Sequence, residues 1–186
     1  MAQRNPDAFR PYLALSLNNL GAMLSELGRR EEALEATREA VEVYRALAQR
    51  NPDAFRPDLA LSLNNLGAML SELGRREEAL EAMREAVELR RALAQRNPEA
   101  FRPYLAGSLN NLGNMLRELG RREESLIAVG EAVDNLWPFF ERHPRLFAQN
   151  TAIMLRQILA LHEALQLPLS AALQERIASF NRLMQS

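Results

Sequence analysis

His143 and His162 are the only two imidazoles in the chain, cysteine is absent, and every basic side chain is an arginine. Those facts remove much chemistry at once. No thiolate nucleophile, thiolate zinc site or disulfide can form, and no lysine can form a Schiff base. Neither histidine stands at the His/Asp/Glu spacing of a metal site. No glycine-rich phosphate loop, nucleophile elbow or zinc-protease helix occurs. Carboxylates are plentiful, but they lie among arginines on evenly charged segments, with nothing to raise a pKa. Catalysis is therefore not expected, and no cofactor or metal is implied. The side chains left with a recurring pattern are amides: Asn18-Asn19, Asn64-Asn65 and Asn110-Asn111. A primary amide carries both donors and an acceptor, so it can pair with the backbone of an extended peptide whatever that peptide's side chains.

These amides recur because the whole chain does. Asn5, Asn51 and Asn97 each open the same string, an Asn-Pro, an acid and Ala-Phe-Arg-Pro, at a spacing of 46 residues. Each string runs into Leu-Asn-Asn-Leu-Gly, a Leu-Gly-Arg-Arg-Glu-Glu turn and a Glu-Ala-Val segment. A fourth, worn copy has His143-Pro144 in place of Asn-Pro and Phe147 in place of Phe101. A repeat of this length is one supersecondary unit that cannot bury its own apolar face, so neighbours must stack. The expectation is a single domain over 1–186, with units at about 5–50, 51–96 and 97–142 and a divergent capping unit at 143–186.

The second copy shows how a unit is built. Asn51 suits a cap for a short turn begun by Pro52, with Asp53 at its positive end. Pro57 is expected to push Arg56 out of the helical region and to open a longer helix, with Asp58 complementing the dipole. Leu59, Leu63, Leu66, Leu70 and Leu73 recur at three- and four-residue steps, an apolar stripe, and Gly74 ends that helix. A second helix is predicted from about Arg76 to Gln95, with Ala79, Leu80, Met83, Ala86, Val87 and Leu93 on its apolar side. Gly21, Gly67 and Gly113 fall mid-helix, where glycine costs about 1 kcal/mol relative to alanine. Close approach of the paired helix at Ala33 or Ala79 is the expected reason.

The last unit departs from the others. Pro138 predicts a stop or kink near Trp137. Trp137, Phe139 and Phe140 are expected to fill the seam between the third and fourth units. His143 takes the capping place of Asn, and His162 replaces the core leucine of Leu24 and Leu70 and is expected to be packed or partly buried. Helices follow near 148–165 and 169–184, the last with one stripe: Leu169, Leu173, Ile177, Phe180 and Met184. At the other end, Ala2-Gln3-Arg4 matches Ala48-Gln49-Arg50, so the chain is expected to begin within a repeat. Further repeats or an effector domain upstream, or end-to-end self-association through an uncapped first helix, would follow from that.

With 47% hydrophobic residues and a net charge of −1, signs interspersed, no field favours nucleic acid or an anionic membrane. An RNA-reading array would need varied base-reading side chains on a basic track. The opening MAQRNPDAFRPY lacks a signal peptide's apolar core and no apolar run reaches membrane-spanning length. A soluble, cytoplasmic, all-α protein is expected.

Leu17, Leu20-Gly21, Leu24, Ala33 and Ala40 fall at the spacing of the tetratricopeptide repeat, with leucines replacing its usual aromatics. The chain resembles in particular the kinesin-light-chain-like subset found in bacterial multidomain proteins, which carries the same Ser-Leu-Asn-Asn-Leu string and Glu-Glu-Ala turn. The resemblance implies a right-handed α-solenoid of antiparallel helix pairs, about eight helices, that binds protein or peptide. The period exceeds the usual 34 residues by twelve, assigned to a longer second helix and the connector. It also implies that one side of each first helix lines a concave groove. On a helical wheel Leu13, Leu20 and Leu24 lie on one side, and Leu15, Asn18, Ala22 and Glu26 on the other, with Asn19 and Ser25 at its margins. The expected binding residues are Asn18, Asn64, Asn65, Asn110, Asn111, Asn114, Arg117 and Arg156, joined by Gln157. A competing role, bonding the neighbouring connector to hold units in register, is assigned more readily to Asn19, Asn65 and Asn111. The function expected is a protein–protein interaction scaffold for an extended peptide or partner helix, as the sensor or adaptor part of a larger bacterial protein. The alternative is a structural spacer or self-association module.

Overall fold

The computed structural model describes residues 6–185, and the Ala2-Gln3-Arg4 match lies outside them. Among the described residues there are eight helices and no strand. They are α1 (Pro6–Glu26), α2 (Arg30–Arg50), α3 (Pro52–Glu72), α4 (Arg76–Arg96), α5 (Pro98–Glu118), α6 (Arg122–Arg142), α7 (Pro144–Ala164) and α8 (Ala171–Gln185). Two compact units meet in sequence between Arg96 and Asn97, a seam of the repeat. The fold class is an all-α solenoid of antiparallel helix pairs.

The connector is not a separate turn. Asn51 Oδ1 accepts from Ala54 N at 3.4 Å, and Pro52 opens a helix that runs unbroken through Pro57. Asn97 does the same with Ala100 N at 3.2 Å. The expected expulsion of Arg56 does not occur. Pro57 lacks an N–H, so it deprives one carbonyl, that of Asp53, which sits in the exposed first turn where solvent can serve it. Asp53 rather than Asp58 thus stands in the first turn. First and second helices are equal at 21 residues, so the residues added to the period lengthen both.

Pro138 likewise neither stops α6 nor shortens it; the helix continues to Arg142. Its missing N–H would orphan the Asp134 carbonyl, and Arg102 Nη2 of α5 supplies a donor there at 2.9 Å. Arg102 Nε adds a bond to Asn135 Oδ1 at 3.2 Å. A neighbouring helix has replaced the hydrogen bond that proline removes.

The first three helix pairs turn on a glycine with φ near +74° (Gly28, Gly74 and Gly120), whereas the connection from α7 to α8 has Gln166 at φ 54°. In the second copy Gly74 N donates to Ser71 O at 2.9 Å and Arg75 N to Leu70 O at 2.8 Å, which satisfies the last carbonyls of α3. Arg75 then leads into α4, its guanidinium gripping Glu78 in two bonds of 2.6 Å.

In the first unit the core gathers Val41, Tyr44 and Leu47 of α2, Leu59 and Leu63 of α3, and Ala82 and Ala86 of α4. The mid-helix glycines have the expected reason. A Cβ on Gly67 would come within 2.7 Å of Met83 Cγ and 3.3 Å of the Ala79 carbonyl, and one on Gly113 would collide with Val129 Cγ2.

In the second unit Phe140 is fully buried, with Trp137 at 5.3 Å and Phe180 of α8 stacked at 5.1 Å. Phe139 meets Phe147 at 6.0 Å. The aromatic cluster therefore fills the seam between α6, α7 and α8. α8 itself buries no residue, and its half-buried stripe ends on Leu183, with Met184 exposed. His143 holds the N-cap position of α7 without a side-chain capping bond. Its ring cannot offer the short acceptor that asparagine does; the His143 carbonyl takes Leu146 N at 3.1 Å instead.

Candidate functional site

In the first unit the open side of α1 and α3 is sparse and uncharged over most of its length. Leu15, Ala22, Leu61 and Ala68 are exposed, with Asn19 exposed and Asn65 half-buried between them. Asn18 is not on that surface. It is 7% exposed, and its Nδ2 donates to Ser62 Oγ of α3 at 2.6 Å. Ser62 in turn donates to Asp58 O at 3.0 Å. Asn64 is equally buried.

The first amide of each of these pairs therefore sits in the wall of the helix layer. Asn18 does what was assigned to Asn19, holding one first helix in register with the next. The wheel placed Asn18 opposite the core, but a stacked helix is enclosed on both flanks, and Ala14, Ala60 and Ser62 are small and fully buried. They let α1 and α3 approach until only a narrow strip remains open.

The second unit differs, through substitutions on both α5 and α7. Position 154, where the repeat pattern of Ser16, Ser62 and Ser108 calls for serine, holds a buried Met154. A thioether cannot replace the hydroxyl that accepts from the amide Nδ2 in the first unit. Asn110 is half-buried, and its Oδ1, like that of Asn18, has no hydrogen-bond partner. Asn114 stands where Ala22 and Ala68 stand in the first unit, and its Oδ1 accepts from Gln157 Nε2 of α7. Gln157 Oε1 is buried without a partner. Around these amides Asn111, Arg117 and Arg156 are exposed. Arg156 Nε bonds its own helix at Ala152 O, 3.2 Å, rather than a carboxylate. Tyr104, Gly107 and Asn111 follow at helical steps on one face of α5, and Tyr104 is exposed. Gly107 was legible as a break in the repeat, where Leu15 and Leu61 stand, whereas Tyr104 repeats Tyr12 and carried no such signal.

Of the expected binding residues, then, Asn111, Asn114, Arg117 and Arg156 come together on α5 and α7 with Asn110 and Gln157. Asn65 lies on the first unit's strip, and Asn18 and Asn64 are withdrawn into the packing. The face can offer amide donors, unpaired amide acceptors and two guanidinium groups. It holds no nucleophile paired with a base. His162, half-buried as expected, points Nδ1 at the Leu167 carbonyl, 3.4 Å away. It lines a cleft of about 250 Å³ whose arginine, Arg176, is committed to Asp134 at 2.6 Å and lies over Trp137. Among the described residues no group of three or more His, Asp or Glu side chains is placed to hold a metal. No helix among them is long and apolar enough to cross a membrane.

Titration shifts occur at surface pairs, at the half-buried Asp58 and at the buried Tyr44. Asp53 is held below the ordinary carboxylate range by its hydrogen bonds to Arg96. Glu32 and Glu78 are held low by Arg29 and Arg75. Asp58 is pushed up by burial, and Tyr44 is raised by burial and by the nearby Asp58 charge.

The tetratricopeptide repeat model matches residues 13–53, 59–99 and 105–134. No curated protein matches the sequence. Among solved structures, BtubC (BKLC) from P. vanneervenii is similar in fold, with a TM-score of 0.73 at 17% identity over 100% of this chain and 68% of that one. MamA is similar with a TM-score of 0.57 at 16% identity, over 94% of this chain and 78% of the other. At such identities the likeness is one of fold. The three matched repeats carry more, and they take in most of the chain: this protein belongs to the tetratricopeptide repeat family.

Proposed function

We propose that the protein is a non-enzymatic protein–protein interaction scaffold that holds an extended peptide or a partner helix against the open side of α5 and α7. The observation that carries this reading is the cluster of Asn110, Asn111, Asn114 and Gln157 beside the exposed guanidinium groups of Arg117 and Arg156, on a face whose first-unit counterpart is largely uncharged. The side-chain oxygens of Asn110 and Gln157 have no donor within the protein, a state Asn110 shares with Asn18. Buried polar atoms ordinarily find a partner, and the backbone N–H groups of a bound segment would provide one. The arginines favour an acidic or carboxylate-bearing segment. A cytoplasmic setting, as sensor or adaptor within a larger bacterial protein, fits the absence of cysteine and the near-neutral surface.

Selection of peptides from a random displayed library on the immobilised protein, followed by calorimetry on the winners, tests the reading. Asn111→Ala with Arg117→Ala is expected to weaken a selected acidic peptide by about tenfold, with helicity and melting unchanged. Asn18→Ala should do the reverse, lowering stability and sparing affinity. A library that yields no binder, or binders indifferent to Arg117 and Arg156, would sink it. The rival, a spacer or self-association element, draws on the uncharged strip of Leu15, Ala22, Leu61 and Ala68. Light scattering separates them, since a monomer at all concentrations counts against self-association.

A further inference from the structure

We infer that the outward edge of α1 is a docking surface for an arginine-bearing amphipathic helix with the pattern of α2. This inference is independent of the α5–α7 face.

α1 and α3 have the same sequence except that Tyr12 stands where α3 has Asp58. Their surroundings differ. Leu59 is 4% exposed and Leu13, its counterpart, 47%; Met69 is 9% exposed and Met23 63%. Phe9 and Leu20 of the same helix, and Leu27 just past its end, are exposed, whereas Phe55, Leu66 and Leu73 are half-buried. Each of α1 and α3 has its own second helix packed behind it. α3 also has α2 along its other flank, contributing Val41, Tyr44, Leu47 and Ala48 to a common cluster. An identical helix thus shows what covers this face.

The rim repeats the argument in charge. Arg30 of α2 lies 3.8 Å from Glu72, Arg38 lies 3.2 Å from Glu78, and Arg45 lies 2.9 Å from Glu85. The counterparts of those acids one repeat earlier are Glu26, Glu32 and Glu39, all exposed. Glu32 is gripped by Arg29, but Glu78 is gripped by Arg75 in the same way and still receives Arg38. The fitting partner is a helix with apolar residues spaced as 41, 44, 47 and 48 and arginines spaced as 30, 38 and 45. The one substitution favours docking: Tyr12, 68% exposed, places an aromatic ring where α3 carries a half-buried carboxylate.

The probe is a fluorescent peptide of the Arg30–Arg50 sequence, stapled between positions 35 and 42 on its solvent side so that it is already helical. Anisotropy with the full chain is expected to show saturable binding. Met23→Glu should weaken it by about tenfold, and charge reversal at positions 38 and 45 of the peptide should weaken it most at low salt. Leu61→Glu, on the open side of α3, should leave it unchanged. Absence of saturable binding, or equal affinity for the Met23→Glu protein, overturns the inference. So does a concentration-dependent dimer broken by Met23→Glu, which would assign the edge to a second copy.

Discussion

Gly113 and Gly107 lie in the same helix and invite the same substitution with opposite results. Replacing a helix-interior glycine by alanine restricts the unfolded chain and stabilises by about 1 kcal/mol where space allows. At Gly107 an added Cβ meets nothing within 4 Å, so Gly107→Ala should realise that gain. At Gly113 the Cβ would overlap Val129 Cγ2 and lie 3.5 Å from the Ser125 carbonyl. Val129 is buried and β-branched, with little freedom at χ1, so α5 and α6 must part. Parting them also stretches the bond from Ser125 Oγ to the Gly113 carbonyl, 2.7 Å. Overpacking of this kind costs about 1–3 kcal/mol. Set against the propensity gain, Gly113→Ala should be neutral to destabilising by about 2 kcal/mol, and should fall below Gly107→Ala by about 1–3 kcal/mol.

Urea unfolding followed by helical circular dichroism measures both variants, with equal slopes required before midpoints are compared. Adding Val129→Ala to Gly113→Ala should relieve the overlap, so that the second glycine change becomes harmless on that background. If Gly113→Ala is as stabilising as Gly107→Ala, the close approach of α5 and α6 is wrong.

The proline of α6 supplies another test. Arg102→Ala should destabilise by about 1–3 kcal/mol because the Asp134 carbonyl loses its donor, and Pro138→Ala, which restores a backbone N–H, should remove most of that cost in a double-mutant cycle. Asp58 gives a pH signature. Its raised pKa means the folded state holds the proton more tightly, so stability falls as pH rises from the ordinary carboxylate range through the raised value, then levels. Asp53, Glu32 and Glu78 act in the opposite sense, stabilising above that range and losing the effect as pH falls through their lowered values. Asp58→Asn should therefore raise the urea midpoint at pH 7 and leave it unchanged below the ordinary carboxylate range; an equal shift at both would refute burial as the cause.

Much of the architecture is written in the period. The leucine stripe of α3, the glycine turns and the close-packing role of Gly21, Gly67 and Gly113 all follow from residue type at a fixed spacing. The proline readings failed for one reason. Local rules charge Pro57 and Pro138 for a lost hydrogen bond, but whether a carbonyl finds another donor depends on a residue distant in sequence or on exposure. Arg102 reaching Asp134 is invisible to periodicity. The wheel failed at Asn18 and Asn64 in a related way, since it sorts residues into core and solvent and has no place for the flank between stacked helices.

That flank explains how a repeated chain can vary its surface without changing its fold. Where the next first helix offers serine, as Ser62 does to Asn18, the first amide of the pair is consumed in holding register. Where it offers Met154, the hydroxyl acceptor for the amide nitrogen is gone, and packing is kept because methionine fills the space. Alanine at positions 22 and 68 becomes Asn114, and Gln157 rises to meet it. Each change is compatible with the helices on either side, so the scaffold tolerates it. On the proposed function, the amides that identical units spend on one another are in this unit available to a ligand, so the breaks in the repeat, and not the repeat, would set what the protein recognises.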